Sequence, residues 1–163
     1  MSISVLIRKM GHFFDQPIFI KLWFLPVWLL LGLSKLIIRL VSFKRLAPRL
    51  GIHVGTNTLV PLLDERQERT ALMVGRVVRL SARYTPWDSN CFPQAVAAKL
   101  LLSLYRIPYA LYFGLGQASD HSGMQAHAWV AAGRIRVSGG YSLDQYTVVG
   151  CFVSSQLDQV IKP

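Results

Sequence analysis

Acidic residues are scarce in this chain: Asp and Glu number 8 against 18 Lys and Arg, and the formal charge is +10. The imbalance is local, because residues 1–50 hold eight Lys/Arg and a single acid, Asp15. A basic surface suits nucleic acid, an anionic membrane or an acidic partner. Here the cations are interleaved with Leu, Ile, Phe and Trp, and no nucleic-acid motif is present, so nucleic acid is not an expected partner. Cysteine is scarce too. Cys91 and Cys151 are the only two, too few to staple 163 residues, and reduced cytosolic thiols are the simpler expectation. No His/Cys spacing recurs as a zinc site requires, so neither metal nor cofactor is expected. There is no internal repeat and no low-complexity tract. The chain also lacks an uncharged run of the roughly 20 residues that a spanning helix needs. Within the apolar stretch 17–43 the longest, Leu22 to Ser34, contains Pro26 and is closed by Lys21 and Lys35. No small-residue cleavage site follows, which speaks against a secretory signal.

What is present is apolar: 52% hydrophobic against 16% charged residues, rich for one domain yet too polar for several membrane spans. The richest stretch, residues 17–43, admits three readings: a buried hydrophobic helix, an interfacial helix on a membrane surface, or a span whose Lys and Arg snorkel. Lys35, Arg39, Lys44, Arg45 and Arg49 would suit the inner face of the cytoplasmic membrane under the last two. The expected location is cytoplasmic, with peripheral membrane contact through residues 17–43 as the variant. The organisation that follows is a basic, apolar helical segment at 1–50, a linker at 51–63 rich in Gly, Thr, Asn and Pro, and a core at 64–163.

The core opens with a helix. Asp64, Glu65 and Glu68 lie at its start, where the dipole favours acids, and Leu72, Val74, Val77, Val78 and Leu80 recur at helical spacing. A turn-rich connection leads to Cys91, and the Ala/Leu content from Gln94 is strongly helical. Pro93 fits a first turn and Ser89 or Asn90 can cap it, which places Cys91 at a helix N-terminus. Strands are expected at residues 109–115, 127–131, 134–137 and 146–153, with Ala132-Gly133 joining two of them. Helices followed by an antiparallel meander make an α+β fold.

A thiol at a helix N-terminus meets unpaired N–H groups and the positive end of the dipole, which favour the thiolate and can hold an oxyanion. His127 opens a strand in Gln125-Ala-His-Ala-Trp-Val130, with small neighbours that leave its ring room to act as base and then acid. Cys151 lies in an apolar strand and reads as inert core. Trp87, four residues before Cys91, reads either as a wall of the thiol pocket or as a core anchor. His121, beside Asp120 in a polar loop, reads as solvated or as lining a substrate groove.

Ser89-Asn-Cys-Phe-Pro-Gln-Ala95, Ile107-Pro-Tyr-Ala-Leu-Tyr-Phe-Gly114 and Ala126-His-Ala-Trp-Val130 occur in an order that resembles the transglutaminase-like (papain-like) core. More narrowly they resemble the stand-alone leader peptidases of lasso-peptide biosynthesis, a likeness extended by Val41-Ser-Phe-Lys-Arg-Leu-Ala-Pro-Arg-Leu-Gly51. That resemblance implies a cysteine peptidase that removes the leader from a lasso precursor peptide. Its partners would be a separate leader-recognition protein and a macrolactam-forming cyclase. It implies Cys91 as nucleophile and His127 as base. The family's Asp follows its His by about a dozen residues and fixes the imidazole. Here that place holds Ser138 or Gly139, and Asp144, the nearest acid, lies several residues late. Three arrangements stand: Asp144 returns to the ring, a Ser or carbonyl orients it, or the site is a dyad. The rival functions are an amine-accepting acyltransferase (transglutaminase) and a non-catalytic adaptor at the membrane surface.

Overall fold

The computed structural model describes residues 15–117, 123–140 and 144–157. Among them the order is α1 (Ile18–Leu40), α2 (Phe43–Leu50), β1 (Ile52–His53), α3 (Glu65–Arg83), α4 (Cys91–Leu104), β2 (Ala110–Gln117), β3 (Met124–Ala132), β4 (Ile135–Ser138) and β5 (Thr147–Val153). A short 3-10 turn, Ser155–Leu157, follows. The five strands form one antiparallel sheet in the order β1-β5-β2-β3-β4. The α+β expectation holds, and the strands lie within a few residues of their expected places.

Local chemistry accounts for the helix ends. The Asp64 carboxylate accepts the Gln67 N–H at 2.8 Å while the Gln67 side chain accepts the Asp64 N–H at 3.1 Å, a reciprocal cap for α3. At the far end of α4, Arg106 takes a positive φ of 54°, its N–H reaches Ser103 O, and the Ile107 N–H reaches Leu102 O. This closure satisfies the last carbonyls and turns Ile107 into the core.

The core lies between the helices and one face of the sheet. Val74, Val77 and Val78 of α3 and Ala97, Ala98 and Leu102 of α4 meet Leu111, Val130 and Phe152. The sheet's other face carries a smaller cluster of Tyr112, Trp129, Cys151 and Val153, covered by the chain after β1. Residues 17–43 form part of the main core in α1, whose Ile20, Val27, Leu31 and Ser34 are buried. Its opposite side, a row of leucines, is exposed. By length and composition α1 can cross a membrane, a test that core helices and signal sequences also meet. The stretch read as a linker contains a strand: Ile52 and His53 pair with Val153 and Phe152 at the sheet edge. A strand of two residues has no periodicity to betray it.

Candidate active site

Cys91 is the first residue of α4 and half-buried. Its N-cap, Asn90, makes no side-chain cap bond, and the first helical bond runs from Gln94 N to Asn90 O. Pro93 has no N–H to give. The donors that α4 leaves open around the sulfur are therefore the backbone N–H groups of Cys91 and Phe92. The loop before them is braced. Thr85 Oγ1 donates to Trp87 O or Ala82 O and lies 2.9 Å from Ser89 Oγ, and Gln94 Nε2 donates to Ser89 O at 2.7 Å.

His127 lies on β3 directly across from Gly114 of β2, where the β2–β5 register slips at Phe113/Gly114. Its ring stacks on Tyr146 at 4.7 Å between centroids and on Trp129 at 5.9 Å, with interplanar angles of 19° and 24°. Gly114 makes this stack possible: a Cβ there would lie 2.8 Å from the Trp129 ring and 2.9 Å from Tyr146 Cβ. Nε2 of His127 lies 2.7 Å from the carbonyl oxygen of Gly139. A carbonyl can only accept, so Nε2 carries the proton in the neutral ring and Nδ1 keeps the free lone pair.

Cys91 and His127 line one pocket of about 420 Å³. Its walls are largely apolar, built by Phe43 of α2, Phe92 of α4, Phe113 of β2 and Phe152 of β5, with Val149 and Leu115 nearby. The Phe43 ring meets Phe113 edge-on at 5.2 Å, so the segment before the core helices supplies a wall of the site. Gly114 and Gly150 leave the space open on the strand side, and His53 of β1 stands at the same pocket against Phe152. No hydrogen bond joins the Cys91 thiol to the His127 ring among the described residues. In the absence of substrate such contacts are often long.

The other candidates lie elsewhere. Asp144 is exposed in the turn before β5, and the group that reaches the imidazole is the Gly139 carbonyl, twelve residues after His127. Of the three arrangements left open by the sequence, a carbonyl at the ring is the one observed. Trp87 is not part of the pocket lining. It packs on α1, 4.8 Å from Trp28 and close over Gly32, as a core anchor would. His121 and Asp120 lie outside the described residues. Cys151 is fully buried, and burial pushes its thiol up to about 11, which keeps it neutral and unreactive. Sequence reasoning missed Phe43, His53 and Tyr146. The Phe43 signal lay within the stretch quoted for the resemblance, whereas His53 and Tyr146 enter the site only through strand pairing. Among the described residues no group of three His, Cys, Asp or Glu side chains could hold a metal ion.

A helix-borne thiol and a strand-borne imidazole sharing a pocket over an antiparallel sheet suit acyl transfer through a thioester. No curated protein and no solved structure matches the chain. Residues 37–151 match the family described as the transglutaminase-like superfamily, a span that runs from the end of α1 through β1 to Cys151. With most of its length in that match, the chain belongs to the transglutaminase-like superfamily.

Proposed function

We propose that this protein is a cysteine peptidase that removes the leader from a lasso-peptide precursor. The superfamily includes cysteine peptidases and acyltransferases, in which a thiol takes an acyl group. The observation that carries the reading is that Cys91 and His127 line one pocket, with Nε2 of His127 bound to Gly139 O and the Nδ1 lone pair left to act as base. In the proposed reaction Nδ1 takes the Cys91 proton as the sulfur attacks the carbonyl at the leader–core junction. The Cys91 and Phe92 N–H groups hold the oxyanion. The imidazolium then protonates the leaving amine, and water hydrolyses the thioester with His127 again as base. The Gly139 carbonyl stands where other members use a carboxylate, and the Tyr146 and Trp129 rings flank the imidazole plane. The narrower substrate assignment rests on the ordered motifs around Cys91, Ile107 and His127. It brings with it a leader-recognition protein and a cyclase as partners in the cytoplasm.

The test is mass spectrometry of a lasso precursor incubated with its recognition protein and either the wild-type chain or Cys91→Ala. Leader and core fragments from the wild type alone, with water added across the bond, support the proposal. A fragment joined to an added amine turns it into acyl transfer. Cleavage by the Ala variant at the wild-type rate sinks the mechanism, and a precursor left intact by both folded proteins sinks the substrate assignment.

A further inference from the structure

The side of α1 that faces away from the core is a stripe of leucines. Leu22, Leu25, Leu29, Leu33, Leu36 and Leu40 follow one another at steps of three and four, so they share one face of the helix. Each is between 52% and 74% exposed. Over these residues the helix advances about 27 Å. Single exposed leucines need no explanation, but a contiguous row of six marks a surface that is covered in use.

The charges say what covers it. Lys21, Lys35 and Arg39 lie together along one flank of the stripe, a quarter to a third of a turn away by helical spacing. Lys44, Arg45 and Arg49 continue the basic run into α2. Neither helix contains an acid. A second copy of the chain docked face to face on this stripe would set those cations against themselves. An anionic bilayer surface complements both features, taking leucines into the acyl boundary and cations at the headgroups.

The inner side of α1 decides between lying on a membrane and crossing it. Ile20, Val27 and Leu31 are at most 1% exposed, buried in the core with α3 and α4. Three hydrogen bonds also tie the helix down. Trp28 Nε1 donates to Tyr84 O, Trp23 Nε1 to the Tyr105 hydroxyl, and Ser81 Oγ to the α1 carbonyl of Phe24. Crossing would surrender all of this, whereas lying in the interface surrenders none. We infer that α1 is an interfacial helix that seats the folded enzyme on an anionic membrane through its leucine stripe, without spanning it.

Flotation of the full chain with phosphatidylcholine vesicles, with and without phosphatidylglycerol, tests this with no precursor present, so the result does not depend on the proposed activity. The wild type should float with the anionic vesicles and bind pure phosphatidylcholine about tenfold or more weakly. Replacing Leu25, Leu29 and Leu33 together by Ser should cut binding by at least about tenfold. Circular dichroism and melting should be unchanged, since these side chains lie outside the core. Lys35→Gln with Arg39→Gln should erase most of the preference for anionic lipid. Equal flotation of the Ser variant overturns the inference, as does a wild type that fails to float. So does a wild-type dimer that the Ser substitutions convert to monomer, which would assign the stripe to a second copy. Retention in the vesicle pellet through alkaline carbonate also overturns it, in favour of a span.

Discussion

The sulfur of Cys151 has no solvent around it, and that burial pushes its thiol from the ordinary 9.0 up to about 11. Cys91 is half-exposed at a helix N-terminus in an open pocket. Iodoacetamide at neutral pH should therefore label Cys91 in the folded chain and leave Cys151 untouched until denaturant is added, as peptide mapping will show. Labelling of Cys151 first would remove the basis for assigning the nucleophile. Gly139 permits a second prediction. Its φ is +94°, and a Cβ there would lie 2.2 Å from Trp129 Cβ. Gly139→Asp puts an acid back at the family's spacing from His127, yet it should destabilise the fold by about 2 kcal/mol or more and lower activity. A urea titration and the cleavage rate of the variant check both parts. An Asp variant faster than wild type would mean that the carbonyl is a poor substitute for a carboxylate. The group that holds the imidazole here is a backbone atom, and a backbone atom has no letter in the sequence. That is why Gly139 could be named as occupying the acid's place while its function stayed open.

At the scale of elements, legibility followed how local the cause is. Asp64 with Glu65 and Glu68 announced α3, and Pro93 with the Ala/Leu run announced α4, because caps and propensity act within one turn. The close of α4 at Arg106 was not announced: the left-handed position that glycine usually takes is filled by arginine, with Ile107 anchored in the core beyond it. β1 was hidden for the opposite reason, since its partner is the last strand of the sheet. Residues 17–43 were recognised as apolar, but which side meets the core depends on where α3 and α4 lie, and nothing inside the segment records that. The two sides of α1 make a prediction from one helix. Leu31→Ala, at a fully buried position, should cost about 2–5 kcal/mol. Leu29→Ala, two residues away on the exposed stripe, should cost under about 0.5 kcal/mol. Equal losses in urea denaturation would contradict the placement of the helix.

The whole molecule carries an alkaline limit written into its two apolar clusters. Burial raises Cys151 to about 11 and Tyr112 to about 12, and raises Tyr109 as well, each above its unfolded value. A group whose pKa is higher in the folded chain contributes stability that is complete below the unfolded value and is lost as pH rises through the folded one. Lys99, lowered by burial, acts in the opposite sense but is a single group against three. The melting temperature should hold up to about pH 9 and fall steadily between about pH 9 and 12. A Cys151→Ala variant should begin that fall nearer pH 10, because Tyr112 and Tyr109 start from 10.0. Calorimetry across the range checks this, and an unchanged onset in the variant would relocate the cause.

The antiparallel pairing of Ile52 with Val153 and of His53 with Phe152 has a consequence for the order of biosynthesis. A ribosome makes Cys91 and His127 well before Phe152, Gly150 and Val149, three of the residues that enclose their pocket. Closing the sheet edge means joining segments roughly 100 residues apart, the kind of contact that forms late. A nascent chain thus holds Cys91 and His127 before the pocket they share is enclosed. That pocket is therefore complete only once the last strand has closed the sheet.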